Sequence, residues 1–280
     1  MALDLPALAR QSGMRRNITL RPIKPTQANA TALAAIYAPA WRIWSENIDR
    51  IMAGYDPPTL ADGLTRDSID DIQSAIDAVA DFFRTRLVTV ITPALRDWII
   101  SVERWHRSKW VAAVNAGTGI DLSTILTAQE VAEPLSAWLA RNVALVKNVS
   151  DQAQGRIADA VFRGYQQRLP AREVAKEIRE AVGLGRDRAL RIASDQNTKL
   201  SAALDRERQA EAGITQFRYR HGGKVHYRPW HKARDGKVFA WKTRKEVDGS
   251  DQIQADDMPG HPPWCSCRTQ AYIPLMDEID

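Results

Sequence analysis

The chain is 280 residues long, 44% hydrophobic and 26% charged, with a formal net charge of +5. These values are ordinary for a folded soluble protein and exclude wholesale disorder, and the length allows one large domain or two modest ones. Only two cysteines, Cys265 and Cys267, exclude a disulfide framework; no apolar run approaches the ~20 residues of a membrane span, and no signal-peptide core precedes Arg15 and Arg16.

Residues 1–60 carry scattered prolines and polar residues around one aromatic group, Tyr37, Trp41 and Trp44. Its spacing of four then three predicts a short amphipathic helix, and the segment reads as an N-terminal arm or a short helical piece. Pro57 and Pro58 end that pattern. The stretch 61–129 is helical in period. Ile69, Ile72, Ile76, Val79 and Phe83 recur at three and four residues, and Pro93 precedes a second helix with Leu95, Trp98, Ile99, Val102 and Trp105. Asn115 to Ser123, with Gly117 and Gly119, reads as a loop.

The stretch 130–212 continues the helical pattern. A long helix is expected over about Thr127–Gln167, its face marked by Leu135, Trp138, Leu139, Leu145, Val146, Val149, Ala153, Ile157, Val161 and Tyr165. Pro170 opens a second helix with Val174, Ile178 and Val182, which Gly183 and Gly185 are expected to cap. A third spans about Arg186–Ala212, its apolar stripe interrupted by Gln196 and Asn197.

At Gly213 the period changes to alternation. Phe217 and Tyr219 share one face of a strand, Arg218 and Arg220 the other. A second extended segment is expected from Val225 to Trp230, and Asp235-Gly236 is a turn before a strand over Lys237–Lys242. Asp248, Asp251, Asp256 and Asp257 read as an exposed acidic loop, and Thr269–Ile273 as a last short strand. The fold class is therefore α+β: a predominantly helical body with a small C-terminal β-containing domain, 213–280. Phe217, Tyr219, Phe239 and Trp241 are its expected core.

His231, His261, Cys265 and Cys267 are the one tight concentration of soft metal donors in the sequence. Cys-x-Cys in an extended segment puts both sulfurs on one side, and His261 lies four residues before Cys265, across the Pro262-Pro263 bend. The set has the chemistry of a tetrahedral zinc site, which would help a small β unit to stay folded. The other reading is two semi-buried thiols with histidines bonded to turns. Arg218, Arg220, Lys224, Arg228 and Lys232, interleaved with Tyr219, Tyr227 and Trp230, form a candidate nucleic-acid-binding face. An ordinary solvated face, or a patch that docks on an acidic protein, reads equally from the same residues.

Several short motifs in one order resemble the phage head morphogenesis family named after the Mu F protein, which includes SPP1-type minor head proteins. They are Ile192-Ala-Ser-Asp-Gln-Asn197 with a helix ending at Gly213, Arg228-Pro-Trp-His231, Gly236, and Cys265-Ser-Cys267-Arg268 before Pro274. The resemblance covers roughly 130–275. The family element Cys-Arg-Cys differs here, because the basic residue is displaced outward to Arg268, which leaves open what that side chain contacts. The resemblance implies a structural, non-enzymatic virion protein, assembled in the host bacterial cytoplasm and present in few copies inside the capsid or at the portal vertex. Its implied partners are the portal protein and the major capsid or scaffold protein; contact with packaged double-stranded DNA is the expectation of the basic face. Some relatives carry a toxin or enzyme domain after this module; with the sequence ending at Asp280, none is expected here. Two alternatives follow from the residues themselves. One is a metal-dependent nuclease using His231, Asp235 and His261, against which stands the lack of a His-Glu-x-x-His or phosphate-binding Gly motif. The other is a stand-alone DNA-binding module, although the helical part shows no recognition-helix pattern.

Overall fold

A computed structural model describes residues 3–55, 66–123 and 132–275. Chain contacts divide them into two compact units. A helical unit comprises the described residues of Ala30–Ile99 and Ser136–Ser194, and a sheet-bearing unit those of Met1–Asn29, Ile100–Leu135 and Asp195–Asp280. In chain order the elements are α1 (Leu5–Gln11), β1 (Ile18–Thr19), α2 (Gln27–Tyr37), α3 (Pro39–Glu46), α4 (Ile48–Met52), α5 (Arg66–Arg86), α6 (Thr92–Thr118), α7 (Ala132–Gln167), α8 (Ala171–Glu211), β2 (Gln216–Arg220), α9 (Pro229–Ala233), β3 (Val238–Ala240) and β4 (Arg268–Ile273). No helix among the described residues is long and apolar enough to cross a membrane.

The helical unit is built on the periodicities of the sequence. On α5, Ile72, Ile76, Val79 and Phe83 are buried, and α3 and α4 pack against that helix. Ile69, the first residue of this stripe, has a side chain outside the described ones. Tyr37 and Trp44 are buried, and each satisfies its polar atom on α7. The Tyr37 hydroxyl donates to Asn142 Oδ1 at 2.6 Å and the Trp44 indole N–H to Ser150 Oγ at 2.9 Å. Residues 30–55 are thus packed helices, not an arm.

Three local expectations are corrected. Pro93 does not separate two helices: α5 and α6 are joined by a π-helical turn, Leu87–Ile91, in which the Thr92 amide reaches back to the Leu87 carbonyl. A proline lacks an amide and crowds the carbonyl four residues earlier, so widening the helix just before it relieves both problems. α6 then continues through Gly117 to Thr118, beyond the expected loop start. Gly183 and Gly185 do not cap a helix, because α8 runs through both to Glu211. Gly185 is buried, and a Cβ there would meet the Trp41 Cβ only at ordinary contact distance, 4.0 Å. The expected start of α7 near Thr127 lies outside the described residues.

α7 and α8 turn back on each other at 168–170. Arg168 takes a left-handed conformation, φ 54°, and the Leu169 amide donates to the Gly164 carbonyl at 2.9 Å. Tyr55 lies against Tyr165, ring centroids 4.8 Å apart, and its hydroxyl donates to the Leu169 carbonyl at 2.9 Å. Burial pushes that phenol up to about 12. Gly164 sits where a Cβ would overlap both the Val174 side chain and the Tyr55 hydroxyl.

In the sheet-bearing unit the strand order is β1-β4-β2-β3, antiparallel throughout. Phe217 pairs with Ala271 on β4 and Phe239 on β3, and Ile18 with Ile273. The edge strand β1 comes from the N-terminal stretch, which the sequence reading did not assign to the sheet. A two-residue strand is too short for alternation to mark it. α8 ends in the way its Gly213 requires. That residue has φ 67°, the Ile214 amide donates back to the Gln209 carbonyl, and a Cβ at 213 would lie 3.1 Å from the Leu3 carbonyl oxygen. Two apolar clusters result. One joins Leu5, Leu20, Trp110, Val114, Ile214, Ala271 and Ile273; the other joins Phe217, Tyr219, Phe239, Ile253, Met258 and both cysteines, with Trp241 packed against it. The four aromatic residues expected to form the core are all found there.

α6 and α8 meet in this unit through matched polar pairs. Glu103 and His106, three apart on α6, face Arg208 and Asp205, three apart on α8. Buried Arg208 donates to Glu103 Oε1 at 2.5 Å and to Glu211 Oε2 at 2.7 Å; His106 Nε2 lies 3.0 Å from Asp205 Oδ1. Neither pair was anticipated, since both lie on helices whose apolar stripes alone were followed.

Two predictions follow from this packing. Gly164→Ala should cost about 1–3 kcal/mol, the usual range for overpacking, measured as a lower urea midpoint. An unchanged midpoint would mean that Tyr55 and Val174 yield freely. The second concerns Asp205, whose carboxyl burial pushes above the ordinary range, against the opposing hydrogen bond of His106 and charge of Arg268. A carboxyl with a raised folded pKa adds stability below its unfolded pKa and loses it as pH rises through the folded value. The stability of wild type relative to Asp205→Asn should therefore fall as pH rises from about 4 towards neutrality. Urea unfolding across that range reads it, and a flat or rising difference would contradict it.

Candidate metal centre

His231 is delivered by α9, a single turn that Pro229 opens at its first position. The extended segment expected from Val225 to Trp230 does not form: the chain bends at 225–226 and enters the helix at Pro229, with Arg228 before it in an extended conformation (φ −80°, ψ 126°). Proline has no amide to leave unpaired at a helix start and its φ suits one, so the chain turns there instead of continuing as a strand. The Arg228 carbonyl accepts the His231 amide at 3.0 Å, and the imidazole is buried, with only 2% of the residue exposed.

Both ring nitrogens are engaged. Nε2 lies 2.7 Å from Asp257 Oδ1, while Nδ1 stands 3.6 Å from Cys265 Sγ and 3.6 Å from Cys267 Sγ. The three donor atoms lie within 4.8 Å of one another, and all three residues are buried. Hydrogen bonds from His231 and Arg234 outweigh the burial of Asp257 and hold its carboxyl below the ordinary range. A carboxylate on Nε2 requires the proton there, so in neutral His231 the lone pair is on Nδ1 and faces the two sulfurs.

The cysteine segment is irregular before β4 begins. The Cys265 amide closes a turn on the Pro262 carbonyl at 3.0 Å, and Trp264 is held at φ 63°. A bulky residue in that left-handed region is strained, and the strain is maintained by its amide, which donates to buried Asp195 Oδ1 at 2.8 Å. Gly222 packs against Ser266 so closely that no side chain could fit, which gives the Gly222-Gly223 pair a packing reason besides its turn. A hydrogen bond between the two thiols lowers Cys265 and raises Cys267. Burial and then the neighbouring thiols push the Tyr219 phenol up, keeping it protonated beside Cys267.

Around this group lies a polar frame. Arg234 donates to Asp251 at 2.8 and 3.2 Å and to Asp257 at 2.6 Å, and the Trp230 indole N–H reaches Asp257 at 3.1 Å. The hydrogen bond from Arg234 lowers the Asp251 carboxyl. The acidic loop is therefore only half what was expected: Asp248 and Asp256 are exposed, but Asp251 and Asp257 turn inward to a buried cation and imidazole. Their i and i+6 spacing alone carried no sign of this. The separate clue was a histidine three residues before an arginine on one short turn.

Of the four residues expected to bind metal, the structure brings His231, Cys265 and Cys267 together; His261 is exposed and outside that group. Asp235, grouped with the histidines in the nuclease reading, instead accepts from the His221 amide at 3.0 Å and faces Arg220 at 3.5 Å. The basic residues are largely turned to protein acceptors. Arg218 donates to the Gly236 carbonyl at 2.8 Å with its guanidinium 5.2 Å above the Tyr272 ring centroid; Lys224 donates to Trp264 O at 2.7 Å and Arg228 to Pro263 O at 3.3 Å. Lys232 is exposed, over the Tyr227 ring. Arg268 is half-buried on β4, where burial lowers its pKa against the attraction of Asp205 and Cys267.

Residues 152–270 match the family model described as Phage Mu protein F like protein. The chain is also similar to an uncharacterized protein of Haemophilus influenzae strain Rd, 29% identical over 161 residues. That alignment covers 57% of this chain and 34% of the Haemophilus protein, so the chain spans about a third of that relative's length. No solved structure matches. The matched region begins within α7, includes all of α8, and ends inside β4, so it encloses the His231–Cys265–Cys267 cluster and its frame. Residues 152–270, less than half of the chain, are thus similar to the Phage Mu F-like family.

Proposed function

We propose that this chain is a structural minor head protein of a tailed bacteriophage, acting in head morphogenesis. The observation that carries the reading is the family match over 152–270, which takes in the whole cluster and the strands and helix that hold it. The proposed partners are the portal protein and the major capsid or scaffold protein. The proposed place is the virion, in the capsid interior or at the portal vertex, where packaged double-stranded DNA is a neighbour.

The side-chain arrangement supports a structural reading over the nuclease one. A general base needs a free nitrogen within reach of a substrate proton. Both nitrogens of His231 already face protein groups, and the ring is buried. The basic residues weigh against specific DNA reading, because Arg218, Lys224 and Arg228 each spend a donor on a backbone carbonyl. What remains for phosphate is general attraction by a chain of net charge +5.

The test uses the phage or prophage that encodes the chain. Particles purified by density gradient should contain it at a copy number far below that of the major capsid protein, read by quantitative mass spectrometry. Deleting the gene should reduce infectious particles by orders of magnitude or yield heads with aberrant content. A protein absent from purified heads, whose deletion leaves particle yield and infectivity unchanged, would sink the proposal.

A further inference from the structure

We propose that His231 Nδ1, Cys265 Sγ and Cys267 Sγ bind one zinc ion, with Asp257 orienting the imidazole from its far side. The first support is geometric. With Zn–N near 2.05 Å and Zn–S near 2.3 Å, a tetrahedral ion separates a nitrogen from each sulfur by roughly 3.5–3.6 Å. The two observed separations are both 3.6 Å. A single hydrogen bond would favour one sulfur; equal distances from one lone pair to two sulfurs suit a common electrophile between them.

The second support is the outer frame. Histidines that bind metal commonly donate their other N–H to a carboxylate, which fixes the tautomer and raises the basicity of the ligating nitrogen. Asp257 occupies that place at 2.7 Å and is itself fixed by Arg234 and Trp230. Tyr219, beside Cys267, stands where its hydroxyl can donate to that sulfur. The awkwardness of a Cys-x-Cys pair on one ion is met by the turn at Trp264, which leaves the two cysteines in irregular backbone instead of a regular strand. The donors are soft sulfur and imidazole nitrogen with no carboxylate among them, a set that favours zinc over magnesium or calcium. Three protein donors supply three of the tetrahedral positions, and exposed His261 is not among them.

The test uses the full chain, purified under reducing conditions without chelator and then incubated with excess Zn²⁺ and desalted. Elemental analysis should find about one zinc per chain. EDTA should lower Tm and added Zn²⁺ should restore it. Replacing zinc by Co²⁺ should give thiolate-to-cobalt charge-transfer absorption and the intense visible bands of tetrahedral cobalt. Cys265→Ser with Cys267→Ser should abolish both. Because that variant loses buried thiols and can misfold, Asp257→Asn provides a gentler measure, expected to keep the cobalt spectrum while weakening zinc affinity by about 10–100-fold. His261→Ala should retain stoichiometric zinc. Wild-type chain that holds far less than one zinc after loading, with Tm insensitive to EDTA, would overturn the proposal. Loss of zinc in His261→Ala would overturn the three-residue ligand set.

Discussion

The sheet-bearing unit depends on one buried imidazole. His231 faces a carboxylate on one edge and two sulfurs on the other, so three pieces of chain distant in sequence converge on a single ring. Short strands of two to six residues bury too little apolar surface to hold such loops by themselves. The aromatic cluster of Phe217, Tyr219 and Phe239 sets one wall, and Tyr219 and the cysteines belong to that same cluster. Polar and apolar constraints therefore coincide. Moving His231 would leave half-buried Asp257 without its imidazole partner, which costs more than the lost contact alone.

α8 carries this arrangement on its C-terminal half. Asp195 anchors the strained Trp264 amide, Gln209 accepts from Trp241 and donates to Thr269, and Arg208 and Asp205 tie the helix to α6. These are polar residues on a helix face where an apolar stripe would be expected. Each has a partner across the fold, and the interruption at Asn197 reflects the same logic: its side chain donates to the Thr26 carbonyl at 3.0 Å. An apolar face would bind its neighbours without regard to register. Paired ions and amides accept few registers, and register is what a centre built from three loops requires.

Much of this was legible in the residues, and the failures share a cause. Helix periods, the change to alternation at Gly213 and the aromatic core were all readable, because burial imposes a spacing on the sequence. Three of four suspected metal donors do converge, while the histidine nearest the cysteines in sequence, His261, is the one left out. What escaped notice were residues whose roles come from partners far away in sequence. Asp257 and Asp251 looked like surface charge until Arg234 and His231 met them, and Glu103 and His106 had no visible counterpart until α8 lay beside α6. β1 was missed because two residues carry no period. The glycines misled in the opposite direction: Gly183 and Gly185 have the composition of a cap but sit inside a helix.

The ordered motifs that suggested the family acquire a physical meaning in this fold. In Arg228-Pro-Trp-His231, the Arg carbonyl and the proline start the turn that carries the imidazole, and the tryptophan indole steadies the carboxylate behind it. Gly236, at φ 87°, lets its amide close on the Tyr219 carbonyl at 2.8 Å, which fixes β2 where Tyr219 reaches the cysteines. The Cys-x-Cys pair then meets the ring from β4's leading edge. The displaced basic residue fits the same picture. At 268, one step past the second cysteine, the guanidinium falls under the influence of buried Asp205 on α8. A basic residue between the cysteines would instead occupy the position of Ser266, beside Gly222. The shift of one residue thus exchanges a contact at the β2 turn for one with the helix, and leaves the two sulfurs facing His231.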